Sequence, residues 1–121
     1  MGEHMTRRIC LALDLVDDAD LIAEYERWHQ VGNTPPEILA SIRDAGIENM
    51  EIFRLADRMV MVMDVTEDFD AAAKAKADEE NPHVIAWEKR MQQFQRALPG
   101  APRIAWTEME RIFHLIDHPG S

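Results

Sequence analysis

The chain has 121 residues, of which 46% are hydrophobic, so it can build one hydrophobic core and is too short for two of ordinary size. Its formal net charge of −10 leaves no basic surface for phosphates, which argues against nucleic acids and anionic membranes as partners and favours an uncharged small ligand. The single cysteine, Cys10, excludes an internal disulfide. Without an apolar run of about 20 residues or a leader sequence, we expect a cytoplasmic protein.

The domain plan that we expect has three parts. Residues 1–6 carry no periodic pattern and read as a disordered extension or an expression remnant. Residues 7–117 are predicted to form a single α+β domain, and residues 118–121 a tail.

The first half of the chain predicts a strand followed by two helices. Residues Arg8 to Leu15 alternate between apolar and other side chains, which is typical of a strand. Two aspartates then cap a helix predicted from Ala19 to Val31. Thr34 is expected to cap a second helix as part of a capping box, with Pro35 as its first residue and Gly46 at its end.

A hairpin is predicted next. Its strands are Ile47 to Leu55 and Arg58 to Val65, and we expect Asp57 to take the positive φ of the tight turn. The run from Met59 to Met63 is apolar on both faces of its strand. A sheet exposed to water on one side does not favour such a run, so something is expected to cover its second face.

The second half predicts another pair of helices and a last strand. Residues Phe69 to Glu80 read as an alanine-rich helix, and Asn81 and Pro82 begin the next one. One face of that helix is predicted to carry five apolar residues: Val84, Trp87, Met91, Phe94 and Leu98. A loop with proline and glycine follows from Leu98 to Ile104, and alternation predicts a strand from Glu108 to Ile116.

This order of elements, with a helix pair after the first and third strands, matches the ferredoxin-like split-βαβ sandwich of the α+β class. One helical layer covers only one face of a four-stranded sheet. Because the third strand is apolar on both faces, we expect a second sheet from a twin subunit to cover the other, giving a homodimer.

Tyr25 and His29 are the best candidates for chemistry. They are four residues apart on a predicted helix, so they share one face, with Trp28 beside them as a stacking surface. The imidazole of histidine titrates near neutrality, as general acid–base catalysis requires. The alternative is structural: both side chains could pack under the sheet with their polar ends satisfied.

The other tryptophans and the possibility of a metal site give weaker indications of function than Tyr25 and His29 do. Trp87 is expected in the core, or as an apolar wall for a sugar, and Trp106 as a loop anchor or at the mouth of a pocket. The histidines lack an H-x-x-x-H pair, and the sequence contains no Cys/His cluster and no nucleotide-binding fingerprint. We therefore expect no metal site.

Four segments together resemble the L-rhamnose mutarotase family: residues 24–29 (EYERWH), 36–38 (PEI), 46–53 (GIENMEIF) and 109–115 (MERIFHL). The resemblance extends from about Arg8 to Leu115. It implies a dimeric ferredoxin-like α+β barrel that interconverts the α and β anomers of a 6-deoxyhexose such as L-rhamnose or L-fucose, without metal or organic cofactor.

The resemblance also implies roles for individual residues. His29 and Tyr25 would be catalytic, and Trp87 would bind the substrate, with Trp28 beside it. The family usually has an aromatic residue before its proline–glutamate pair, where this chain has Pro35. Two alternatives stay open: a module of the same plan that binds a metabolite without turnover, and a cofactor-free monooxygenase.

Overall fold

The computed structural model describes residues 5–120, which form an α+β domain. Its elements are β1 (Thr6–Leu15), α1 (Ala19–Trp28), α2 (Pro36–Asp44), β2 (Ile47–Leu55), β3 (Arg58–Thr66), α3 (Ala71–Glu79), α4 (Pro82–Met91), β4 (Gln95–Arg96), β5 (Thr107–Glu108) and a 3₁₀ turn (Leu115–Asp117). Most of the predicted N-terminal extension, Met1 to His4, lies outside the described residues. Its last residue does not belong to an extension, because β1 already begins at Thr6.

The strands form one antiparallel sheet in the order β2-β3-β1-β4, with β5 also paired to β1. A helix pair follows β1 and another follows β3. This is the ferredoxin-like arrangement, so the predicted fold class is confirmed. Among the helices of residues 5–120, none is long and apolar enough to cross a membrane.

The helices cover one face of the sheet, and two clusters of buried side chains lie between the layers. The first cluster joins the sheet to α1 and α4 through Leu13, Leu15, Tyr25, Met59, Met91 and Phe94. The second joins it to the segment just before α3 through Ile9, Ile47, Met63, Val65 and Phe69. In β1 the core residues are all odd-numbered, as expected for a strand with one face toward helices.

The other face of the sheet carries apolar side chains that no helix of the described chain covers. Cys10 pairs with Val62 and Ala12 with Val60, and these four residues have the opposite parity to the core residues of their strands. Phe53 lies opposite Val60 on this face and is 56% exposed. We call this surface, with Leu55 at its rim, the outer face.

Helices α1 and α2 both depart from the predicted boundaries. Helix α1 ends at Trp28 rather than Val31, because side chains take its last carbonyls: Thr34 Oγ1 donates to Trp28 O and Asn33 Nδ2 to Arg27 O. The Thr34 side chain is thus hydrogen-bonded to α1 and does not cap α2. That helix starts at Pro36 and has no side-chain cap.

Smaller differences concern the hairpin and the second helix pair. The positive φ of the turn, 53°, belongs to Ala56 and not to Asp57. The carboxylate of Asp57 instead pairs with Arg96, which fixes that residue in the turn. Phe69 precedes α3, which Asp70 caps, and α4 ends at Met91, so Phe94 is buried beyond the helix rather than on its face. Leu98 also lies beyond α4.

The predicted strand from Glu108 to Ile116 is wrong beyond its first residue. Strand β5 is Thr107–Glu108, and the last bond to β1 runs from Met109 N to Cys10 O, 2.7 Å. Three further residues of this register would place Arg111 opposite Arg8, and like charges directly opposite each other destabilise a strand pair. The chain therefore leaves the edge of β1, and we call residues 110–117 the C-terminal segment.

Candidate active site

The C-terminal end of α1 brings Tyr25 and His29 together. The tyrosine is 4% exposed and belongs to the core, whereas the histidine follows the last residue of the helix as its C-cap and is exposed. Their ring centroids are 4.4 Å apart, with the planes tilted by 36°. The spacing of four residues therefore does place a phenol and an imidazole in direct contact.

The backbone fixes which nitrogen of His29 can act as a base. Its Nδ1 lies 2.7 Å from the carbonyl oxygen of Tyr25. A carbonyl only accepts hydrogen bonds, so Nδ1 carries the hydrogen and Nε2 of the neutral ring carries the free lone pair. Burial against the neighbouring rings lowers the pKa of His29, and the hydrogen bond to Tyr25 opposes this shift only partly. The imidazole is therefore neutral at pH 7 and able to accept a proton.

Tyr25 has the complementary property. Burial raises the pKa of its phenol, and a side-chain contact from Gln95 opposes that rise. The amide nitrogen Nε2 of Gln95 is 3.4 Å from the Tyr25 hydroxyl oxygen. Tyr25 is thus a neutral donor beside a neutral base.

Tryptophan rings form the walls beside this pair. Trp87 on α4 meets His29 edge to face, with centroids 5.6 Å apart, and meets Trp28 in the same way at 6.0 Å. The guanidinium carbon of Arg90 lies 4.4 Å from the ring centre of Trp28, which is a cation–π contact. The walls are apolar and aromatic, which suits the C–H faces of a small neutral ligand.

The structure thus gathers all four residues that the sequence proposed: Tyr25, His29, Trp28 and Trp87. Gln95 was missed, because it lies 70 positions from Tyr25 and nothing in its local sequence marks it. Trp106 lies in the loop before β5 and packs against the first core cluster, as expected for a loop anchor.

Two other histidines are separate from this site. His83 is exposed in the first turn of α4, and His114 lies in the irregular stretch before the 3₁₀ turn rather than in a strand.

A concavity of about 440 Å³ runs along α1 and touches Trp28 from the side of Gly32 and Asn33. Residues 5–120 contain no group of three or more Asp, Glu, His or Cys side chains that could hold a metal ion.

Fold and site together define a ferredoxin-like α+β protein in which a tyrosine and a histidine are in contact beside tryptophan rings. The sequence profile described as L-rhamnose mutarotase matches residues 8–115. A protein of Xanthomonas campestris named L-fucose mutarotase is 54% identical over 110 residues, which cover 90% of this chain and 88% of that protein. The chain therefore belongs to the L-rhamnose mutarotase family, a family of enzymes, and the predicted resemblance is confirmed.

Other matches are more distant in sequence. A Dictyostelium discoideum protein named only as a UPF0734 protein is 31% identical over 109 residues, covering 86% of each chain. The crystal structure of L-rhamnose mutarotase from Formosa agariphila superposes with a TM-score of 0.62 at 19% identity, covering 89% of this chain and 97% of that one. The structure of a polyketide cyclase, tetracenomycin F2 cyclase of Streptomyces glaucescens, superposes with a TM-score of 0.58 at 16% sequence identity, covering 89% of this chain and 95% of that one.

Proposed function

We propose that this protein is a mutarotase that interconverts the α and β anomers of a 6-deoxyhexose, with His29 and Tyr25 as its acid–base pair. The observation that carries the proposal is the fixed contact between a neutral imidazole, whose Nε2 is free, and a buried phenol. Mutarotation needs one group that takes a proton and one that gives a proton at nearly the same time. This pair offers both at neutral pH.

The reaction balances with these two groups alone. His29 Nε2 removes the proton from the O1 hydroxyl while the Tyr25 hydroxyl protonates the ring oxygen, and the bond from C1 to the ring oxygen breaks. The resulting open-chain aldehyde turns about its C1–C2 bond. Ring closure on the opposite face returns one proton to O1 from His29 and one to Tyr25, which restores both residues.

The walls support a deoxy sugar as the substrate class. Trp87, with Trp28 beside it, offers apolar ring surface to the C–H groups and the 6-methyl group, and a neutral sugar requires no charge steering by an acidic protein. The relative that is 54% identical is named for L-fucose and the family for L-rhamnose. We propose L-fucose and L-rhamnose as the two substrates to test first.

Saturation transfer between the two anomeric protons tests the activity at equilibrium. Wild-type protein should accelerate exchange of L-fucose or L-rhamnose. His29→Ala should lower the rate roughly 10²- to 10⁴-fold, the range for loss of a positioned acid–base group, and Tyr25→Phe should also slow it. His83→Ala is the matched control, since it removes an exposed histidine near the start of a helix and should change nothing.

Three results would contradict the proposal in whole or in part. Wild-type exchange no faster than buffer for both sugars, with ligand-dependent shifts of protein resonances, would support a binding module instead. Normal exchange in His29→Ala would leave the activity standing and remove His29 from it. Oxygen consumption with a phenolic substrate would point to the monooxygenase alternative.

We propose further that the chain forms a homodimer through its outer face, as in a dimeric α+β barrel. Two features support this. The outer face is apolar at its centre, and the C-terminal segment exposes large apolar side chains, including Ile112 at 92%, Phe113 at 63% and Ile116 at 81%. Patches of this kind on one small domain mark an interaction surface. The proposed cytoplasmic location stays a prediction of the sequence.

Sedimentation velocity tests the assembly. Wild-type protein should sediment as a dimer, and Phe53→Glu should shift it toward the 13.9 kDa monomer by placing a charge within the proposed interface. Ile85→Glu on α4 is the control, since Ile85 is 50% exposed but lies on the helical layer. A wild-type monomer at micromolar concentration, or equal effects of the two variants, would exclude this interface.

A further inference from the structure

Gln95 is the polar side chain that the structure shows in contact with the Tyr25 hydroxyl. It belongs to β4, where it pairs with Leu15, a core residue, so its side chain points to the same helical side of the sheet as Tyr25. The contact is an amide nitrogen against a phenol oxygen, at 3.4 Å. An amide nitrogen can only donate, so the phenol oxygen is the acceptor.

The backbone around Gln95 is held on both sides. Val16 N donates to the carbonyl of Phe94 at 2.8 Å, and Phe94 is itself 3% exposed. On the other side, the guanidinium of Arg96 pairs with the carboxylate of Asp57 and lies 3.8 Å from that of Asp14. A two-residue strand is therefore anchored by the core on one side and by ion pairs on the other.

We propose that Gln95 is a positioning residue that orients the Tyr25 hydroxyl for catalysis, an inference that rests on the function proposed above. A phenol has one hydrogen to donate. Because its oxygen accepts from Gln95, that hydrogen is directed away from the amide and toward a ligand lying against His29. The same donor stabilises the phenolate that exists while the sugar ring is open, so the residue acts on the chemical step.

This role separates Gln95 from residues that only bind the sugar. Loss of the amide donor should leave the ground-state sugar contacts unchanged and weaken proton donation, so kcat should fall while KM stays within about twofold. One neutral hydrogen bond of this kind corresponds to a rate effect of about five- to tenfold. The pKa of Tyr25 should rise in the variant, because the contact that opposes its upward shift is gone.

The composition makes this pKa directly measurable, because Tyr25 is the single tyrosine of the chain. Tyrosine labelled with ¹³C at Cζ gives one resonance, whose position reports ionisation and hydrogen bonding of that hydroxyl. The variants are Gln95→Met, which keeps the length and removes the donor, and Gln95→Glu, which replaces it with an acceptor. Gln93→Met is the control, since Gln93 is exposed two positions away.

Four results are expected. Gln95→Met raises the Tyr25 pKa and lowers kcat about five- to tenfold, and Gln95→Glu does more of both because a carboxylate draws the hydroxyl proton to itself. Gln93→Met matches wild type. In a Tyr25→Phe background, Gln95→Met has no further effect on kcat, since a residue that acts through the hydroxyl has nothing left to act on.

The opposite results overturn the proposal. An unchanged Tyr25 titration in Gln95→Met, a rise in KM with constant kcat, or a wild-type rate in Gln95→Glu would each show that the amide does not direct the hydroxyl. Normal wild-type exchange with unaffected Gln95 variants removes Gln95 alone. Absence of exchange in the wild type removes the mutarotase function and the role of Gln95 with it.

Discussion

The ion pair between Asp14 and Arg58 leads to a prediction about stability. Asp14 is 1% exposed at the end of β1, and Arg58 on β3 donates to both of its carboxylate oxygens, at 2.8 and 3.1 Å. These hydrogen bonds lower the pKa of Asp14, with a smaller contribution from Arg96. Asp14→Asn keeps the shape of the side chain and turns one accepting oxygen into a donor that faces a cation.

The magnitude follows from the bonds that are lost. A hydrogen bond to a charged group contributes about 1.5–3 kcal/mol, and the Arg58 side chain, at 53% exposure, can turn to water after the change. We therefore expect Asp14→Asn to lower the free energy of unfolding by about 2 kcal/mol. For a domain of this size, that corresponds to a decrease in Tm of roughly 6–12 °C.

Asp64→Asn is a matched control for the same two strands. Asp64 pairs with Arg8 at the other end of the β1–β3 ladder, but both partners are more open to water, at 27% and 67% exposure. Solvent screens such a pair, so its loss should shift Tm far less. Thermal unfolding followed by circular dichroism compares the two variants, and equal shifts would refute the argument from burial.

The pH dependence of the stability provides a second test of the contribution of Asp14. The pKa of Asp14 is lower in the folded than in the unfolded protein, so its contribution is present above the unfolded value of about 3.9. That contribution is lost as the pH falls through the folded pKa. The difference in stability between wild type and Asp14→Asn should therefore be constant near neutrality and shrink in acid. A difference that grows in acid would contradict this assignment.

Three further predictions follow. The lowered pKa of His29 and the raised pKa of Tyr25 should give a flat exchange rate around pH 7 that falls only below about 6.5 and above about 10, and a rate that falls between pH 8 and 7 would show a protonated imidazole instead. Sugar should change the tryptophan fluorescence, and Trp87→Phe should abolish the change; a persistent response would place the ligand elsewhere. Gly46→Ala should lower the free energy of unfolding by more than Gly32→Ala, measured by urea titration. Both glycines have positive φ. A Cβ at residue 46 would lie 2.7 Å from the hydroxyl oxygen of Thr66 at the end of β3, whereas a Cβ at residue 32 would meet no atom within 4 Å.

Local patterns were enough to predict most of the fold and the central pair of the candidate site. Alternation located β1 and the hairpin, and the distance of four residues placed Tyr25 and His29 on one helical face. Asn81 caps α4 as its sequence predicts, with its side chain accepting from the next turn. These features depend on neighbours within a few residues, where the backbone geometry of a helix or a strand fixes the outcome.

Features that depend on distant parts of the chain could be decided only by the tertiary structure. Thr34 has the sequence of a cap for α2, but its hydroxyl is taken by a carbonyl of α1. Alternation after Glu108 indicates a longer strand, but the register on β1 would bring Arg111 against Arg8. Gln95 contacts Tyr25 across 70 positions because β4 pairs with the end of β1. In each case the deciding contact is made with a residue that is not a close neighbour in the sequence. The local preference of the segment therefore does not determine its structure.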